Sequence, residues 1–272
     1  MATNSVPYTQ AVYNKGGYVL LFPNVEAQSD LMEGVPPDPF VSTAAQQFPL
    51  GTLAIRGEEK WRYCYAGASQ LELGVPTQMM DPANAASEDN LAVGTGSSIG
   101  DTTVYVTSTS DIDEAPYSTK NGLRGGYIFW NTGVGQGQCR KIKDNTAFSS
   151  TESATIELYD PITIALTTAS KCGIIPSIWW GTIAVTTTSA FCNGVPEIVV
   201  PTTARYYWSK TRGPIALIQA STIAVGTEVV IGTTAAKVDP RSAYTTEIVI
   251  GFPLTPAVTT DAQHFMCFLT LE

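Results

Sequence analysis

From residue 49 onward, apolar residues come in short runs rich in Val, Ile, Thr, Tyr and Trp, and each run stops at Gly, Pro, Asn or Asp. The one weak helical stretch, Gln78 to Ala92, is broken by Pro82. A chain patterned this way can bury its core only by packing strands on strands. Without helices between the strands, a parallel α/β sheet is not expected. The expected fold is all-β, an antiparallel β-sandwich or barrel-like core.

Two hairpins stand out. In the first, Tyr127-Ile128-Phe129-Trp130 is a run of strong strand formers, and Gln138 to Ile142 returns as a more polar strand. Between them, Gly133, Gly135 and Gly137 supply a turn that needs positive φ. In the second, Leu53–Arg56 and Lys60–Tyr65 flank Gly57-Glu58-Glu59. The period of two along that return strand places Trp61, Tyr63 and Tyr65 on one face. Further strands are expected at 100–107, 154–158, 162–166, 178–185, 197–200, 204–208, 215–218, 228–231, 246–250 and 265–271.

Residues 1–48 read differently. Pro7, Pro23, Pro36, Pro37 and Pro39 interrupt any long element, and only Gly17 to Phe22 has strand character. Disordered tails are poor in aromatics, yet Tyr8, Tyr13, Tyr18, Phe22 and Phe40 are spread through this stretch. It is therefore expected to be an extended, irregular N-terminal arm lying on its own domain or on a neighbouring subunit. The remaining 49–272 form the β-rich core. If that core divides into two subdomains, the cut is expected near 171–176.

Charged residues are only 14% of the chain and the net charge is −9. Phosphate backbones demand clustered Lys and Arg, so nucleic acid is not an expected partner. The one basic cluster, Arg140-Lys141-Lys143, reads as a solvated strand face. The five cysteines, at 64, 139, 172, 192 and 267, are widely spaced with no C-x-x-C. Buried free thiols in a reducing cytoplasm are expected, not a disulfide framework or zinc site. No apolar run reaches about 20 residues and the first residues lack a basic-then-apolar leader, so neither a membrane span nor secretion is expected.

No catalytic, cofactor-binding or metal-binding constellation emerges. The single histidine, His264, has Asp261 near it but no G-x-S-x-G elbow. Asp111, Asp113 and Glu114 form an acidic loop without the EF-hand pattern. Gly133-x-Gly135-x-Gly137 has neither the spacing nor the following helix of a dinucleotide loop. Nothing local nominates a carboxylate pair for glycoside hydrolysis. Adjacent strand residues face opposite ways. In Trp179-Trp180 and Tyr206-Tyr207-Trp208, part of each group should therefore be core and part free for an interface.

Several stretches together resemble capsid decoration proteins (the cement or head-stabilising type) of tailed bacteriophages, particularly marine ones. They are PLGT at 49–52 with WRYCYAGA at 61–68, VGTGSSIGDTTVYVT at 93–107, GGYIFWNTGVGQGQCRKIKDN at 125–145 and IELYDPITIALTTASK at 156–171. YYWSKTRGPIALI at 206–218 and FMCFLTLE at 265–272 also fit. The resemblance implies a non-enzymatic virion protein, assembled in the host cytoplasm and displayed in many copies on the capsid exterior. It further implies homotrimers bound between major capsid protein subunits. Contacts to the capsid or to neighbouring copies are then expected at Tyr8, Tyr13, Tyr18, Phe22, Trp180 and Trp208. The rival expectation is a receptor- or glycan-binding tail fibre or spike. A third, a β-fold glycosidase or depolymerase, would need two carboxylates facing across a cleft.

Overall fold

The computed structural model describes residues 12–22, 36–67, 69–80, 90–107, 115–148, 153–186, 191–202, 205–242, 247–256 and 263–272. Among them the regular elements are all strands, with no helix, as the sequence pattern requires. The chain forms two compact units. Unit 1 is Met1–Met80 with Ile178–Glu272, and unit 2 is the intervening Asp81–Ser177. Unit 1 thus resumes just beyond the 171–176 cut, whereas the break after Met80 has no counterpart in the sequence reading.

The first part of unit 1 holds β1 (Val12–Lys15), β2 (Tyr18–Leu21), β3 (Leu53–Arg56), β4 (Glu59–Tyr65) and β5 (Thr77–Gln78). Unit 2 holds β6 (Leu91–Val93), β7 (Thr103–Thr107), β8 (Tyr127–Thr132), β9 (Cys139–Asn145), β10 (Ser153–Leu158) and β11 (Lys171–Ile175). Unit 1 then continues with β12 (Ile183–Ala184), β13 (Cys192–Pro196), β14 (Tyr206–Ile218), β15 (Val229–Ile231), β16 (Val238–Pro240), β17 (Val249–Pro253) and β18 (His264–Thr270).

Unit 2 is a closed barrel in the order β10-β7-β6-β11-β8-β9. Alternation fills it: Val104 and Val106, Ile128 and Trp130, and Ala154, Ile156 and Leu158 point inward and are buried. The β8–β9 turn has Gly133, Gly135 and Gly137 at φ of 83°, 89° and 88°. A Cβ on Gly135 would come within 2.5 Å of Leu166 Cδ2. The expected strand at 162–166 is instead a loop. Buried Gln138 replaces the ladder there: its Oε1 accepts from Thr163 N at 2.8 Å and Ile164 N at 3.1 Å, and its Nε2 donates to Ile164 O at 3.1 Å. At its two ends Ile162 exchanges backbone hydrogen bonds with Gly100 and Asp101, and Leu166 bridges to Ser97.

Unit 1 is built on the 13-residue β14. The main path of its sheet runs β1-β2-β3-β4-β14-β18-β17-β15-β16. The two strands expected at 204–208 and 215–218 are this one strand, which passes through Gly213-Pro214. β4 pairs with β14 only as far as Arg212, so Pro214 has β18 as its ladder partner on one side alone, a position proline tolerates. The first half of β14 packs against an aromatic cluster of Tyr18, Phe48, Trp61, Tyr63 and Trp208. The second half sends Ile215 and Leu217 into an aliphatic core with Val229, Ile231, Ile250 and Leu269.

The arm is integral to unit 1 over residues 12–22. β1 and β2 form a hairpin, and β2 pairs antiparallel with β3. Of the two resting places expected for the arm, this part occupies its own domain.

Candidate contact surfaces and a buried charge cluster

The register of β14 against β4 sets Lys210 opposite Trp61. Val195 of β13 pairs with Lys210 on the other side, which brings Glu197 close. The Lys210 side chain is 2% exposed, and its Nζ lies 2.6 Å from Glu59 Oε1 and 3.0 Å from Glu197 Oε1. Trp61 Nε1 donates to Glu197 Oε2 at 2.6 Å. Arg56 extends the cluster, donating to Glu59 Oε2 at 2.9 Å and to Tyr18 OH at 2.8 Å. Lys210 Nζ and Arg56 Cζ sit 5.0 and 5.3 Å from the Trp61 ring centroid. Two cations and two carboxylates balance; Lys210 is the fully buried charge and is paired on both sides, while Arg56 is 44% exposed.

Burial pulls the Glu59 carboxyl up, but hydrogen bonds from Lys210 and Arg56 outweigh it and hold the group below its ordinary value of 4.5. A carboxyl depressed on folding stabilises fully above its unfolded pKa, and that stability is lost as pH falls through the lower folded value. Unit 1 should therefore show a level stability at neutral pH that falls on acidification below the usual carboxylate range. Glu59→Gln should flatten that acid limb in urea titrations across pH. An unchanged acid limb would contradict the assignment. Both carboxylates are held by one ammonium, so they do not face across a cleft as a glycosidase pair must. Among the described residues no group of His, Cys, Asp and Glu could hold a metal ion.

The six expected contact residues separate. Tyr18, Phe22 and Trp208 are buried at 6%, 2% and 2% exposure, inside the aromatic cluster of unit 1. Their rings form core and present no contact face, a correction to the sequence reading. For Trp208 the cause is that β14 is covered on both faces at this point. Tyr207 packs with Cys64, Leu71 and Val200 on one side, while Trp208 packs with Phe48 and Tyr63 on the other. Tyr13 lies on β1, and Tyr8 falls outside the described residues. Trp180 is half-buried and stacks on Tyr65 at 5.7 Å. Tyr206 is the partly exposed ring of its triplet, 4.8 Å from Tyr65 and stacked on Tyr63 at 5.9 Å. Trp180, Tyr65, Tyr206 and Tyr63 thus form an aromatic row. Beside it, a cavity of about 160 Å³ is lined by Asp38, Val41, Thr43, Gln47, Tyr63 and Trp208.

A second surface escaped the sequence reading. The outer face of β14, β18 and β17 is apolar, with Phe252 at 45%, Leu254 at 51% and Met266 at 39% exposure. The signal was present in FMCFLT, where Phe265, Cys267 and Leu269 turn inward while Met266 and Phe268 turn out.

His264, at the start of β18, is exposed and its Nε2 lies 3.3 Å from Leu73 O. Asp261 and the acidic loop at 111–114 lie outside the described residues. Cys64, Cys172, Cys192 and Cys267 are buried free thiols, but Cys139 at the start of β9 is exposed. Burial pushes Cys192 and Cys267 up to about 12, and Cys64 higher. Native protein should therefore react rapidly with a thiol reagent at about one site, Cys139. All five cysteines should react in denaturant. Rapid labelling of more than one native thiol would contradict the packing.

No family model, curated protein or solved structure matches this chain.

Proposed function

We propose that this protein is a capsid decoration protein, binding the exterior of a phage shell between major capsid protein subunits and stabilising the assembled state. The observation that carries the reading is the aromatic row of Trp180, Tyr65 and Tyr206, partly exposed on unit 1. A strip of partly exposed rings suits broad surface contact better than enclosure of a small substrate. The acidic, lightly charged composition suits a protein crowded on a shell, where like charge keeps particles apart. Because such a protein binds assembled shells and not free subunits, it stabilises them by linkage. The test incubates purified chain with undecorated shells and with unassembled major capsid protein. Binding to shells alone, with a raised melting temperature of the shell, is expected. Equal binding to free subunits, or none to shells, would remove the reading.

A second reading, a glycan-binding fibre or spike head, is favoured by one observation. The cavity lined by Asp38, Thr43, Gln47, Tyr63 and Trp208 adjoins partly exposed Tyr206, which bridges to Thr43 and packs on Tyr65, an arrangement of aromatic and polar groups that suits a sugar. A glycan array on the purified chain, with Tyr206→Ala as control, separates this reading from the first.

A further inference from the structure

We infer that the outer face of β14, β18 and β17 is the contact between two copies of this chain, packed sheet to sheet across a two-fold axis. The register makes the face continuous. Ala216 lies opposite Met266 and Pro214 opposite Phe268. Phe268 lies opposite Phe252, and Leu254 N donates to Met266 O at 2.8 Å. The inner side of the same strands is already filled by Ile215, Leu217, Phe265, Cys267 and Leu269, so this is a second apolar face.

Three properties select a second copy as the occupant. The first is charge. In a chain of 15 basic and 24 acidic residues, the titratable groups set against these six apolar side chains, among the described residues, stand at the rim. There Arg212 is tied to Glu272 O at 2.8 Å and lies over Phe268, and His264 stands at the end of β18. Two copies can approach through this face without like-charge repulsion, while a net charge of −9 disfavours nucleic acid and anionic lipid as occupants. The second is area. Half of a large apolar side chain is roughly 100 Å², so Phe252, Leu254 and Met266 with their half-buried neighbours offer roughly 400 Å². That is the apolar part of a standard interface of about 800 Å² per partner. The third is shape. The large side chains Phe252, Met266 and Phe268 stand on β17 and β18, while the middle of β14 carries the small Pro214 and Ala216, with Ile218 at its end. A two-fold axis through the middle of the face would set β17 and β18 of one copy over β14 of the other, large side chains against small, as an isologous contact requires.

The inference does not depend on where the protein works. A two-fold pairing differs from the trimer that the resemblance implies. Sedimentation velocity on the full chain across a wide micromolar range tests it, with Phe252→Lys, Met266→Lys and the double variant alongside. Circular dichroism checks that each variant keeps its fold, which exposed positions allow. The wild type should sediment as a dimer, each single variant should dissociate at least tenfold more readily, and the double variant should sediment as a monomer. Met266→Leu should remain a dimer. A monomeric wild type, a trimer, or a dimer that survives the double substitution would each overturn the inference.

Discussion

Lys210→Met is expected to destabilise unit 1 by about 3–5 kcal/mol, because it strands two carboxylates beside Trp61 without their shared cation. The side chain itself is 2% exposed, while Glu59 and Glu197 are 22% and 16% exposed, so solvent can relieve only part of the loss. A shift in melting temperature of about 6–20 °C follows for a unit of this size. Combining Lys210→Met with Glu59→Gln and Glu197→Gln should regain most of the loss, since the cost lies in unpaired charge and the cavity is filled by the methionine chain. Urea denaturation of the single and triple variants reads both effects. A loss below about 1 kcal/mol for the single variant would mean that the cluster behaves like an exposed ion pair.

Trp208→Ala should cost about 3–5 kcal/mol by opening a cavity in the aromatic cluster. The indole packs 5.2 Å from Phe48 and 5.0 Å from Tyr63, centroid to centroid. Trp208→Phe should cost less, because a six-membered ring still fills part of the site. Trp180→Ala, at a half-buried position, should cost about 1 kcal/mol or less. The pair therefore separates core from contact. If Trp208→Ala kept wild-type stability and lost only its partner, the ring would be the surface anchor that the sequence alone suggests.

The two tryptophans show how far the sequence could be read. Period two along Tyr206-Tyr207-Trp208 correctly places Tyr207 and Trp208 on opposite faces, but it cannot reveal that both faces are covered. The β8–β9 and β3–β4 hairpins were legible because their turns are written locally, in positive-φ glycines and short strand formers. β11 and β13 were not. KCGII and CNGVP hold poor strand formers and become strands because neighbours fix both edges, which is tertiary context. The charge cluster was hidden for the same reason. Lys210 meets Glu59 across 151 positions of chain, a pairing that no local pattern records. The insertion of unit 2 into unit 1 likewise depends on β4 of the first segment pairing with β14 of the second. The expected cut at 171–176 falls just before that return, but nothing local marks the departure after Met80.

The most direct test of the proposed role is a quantitative peptide census of purified virus particles by mass spectrometry. Decoration predicts this chain in a copy number comparable to that of the major shell protein. A handful of copies per particle would contradict decoration and favour the fibre or spike reading, and absence from particles would contradict both.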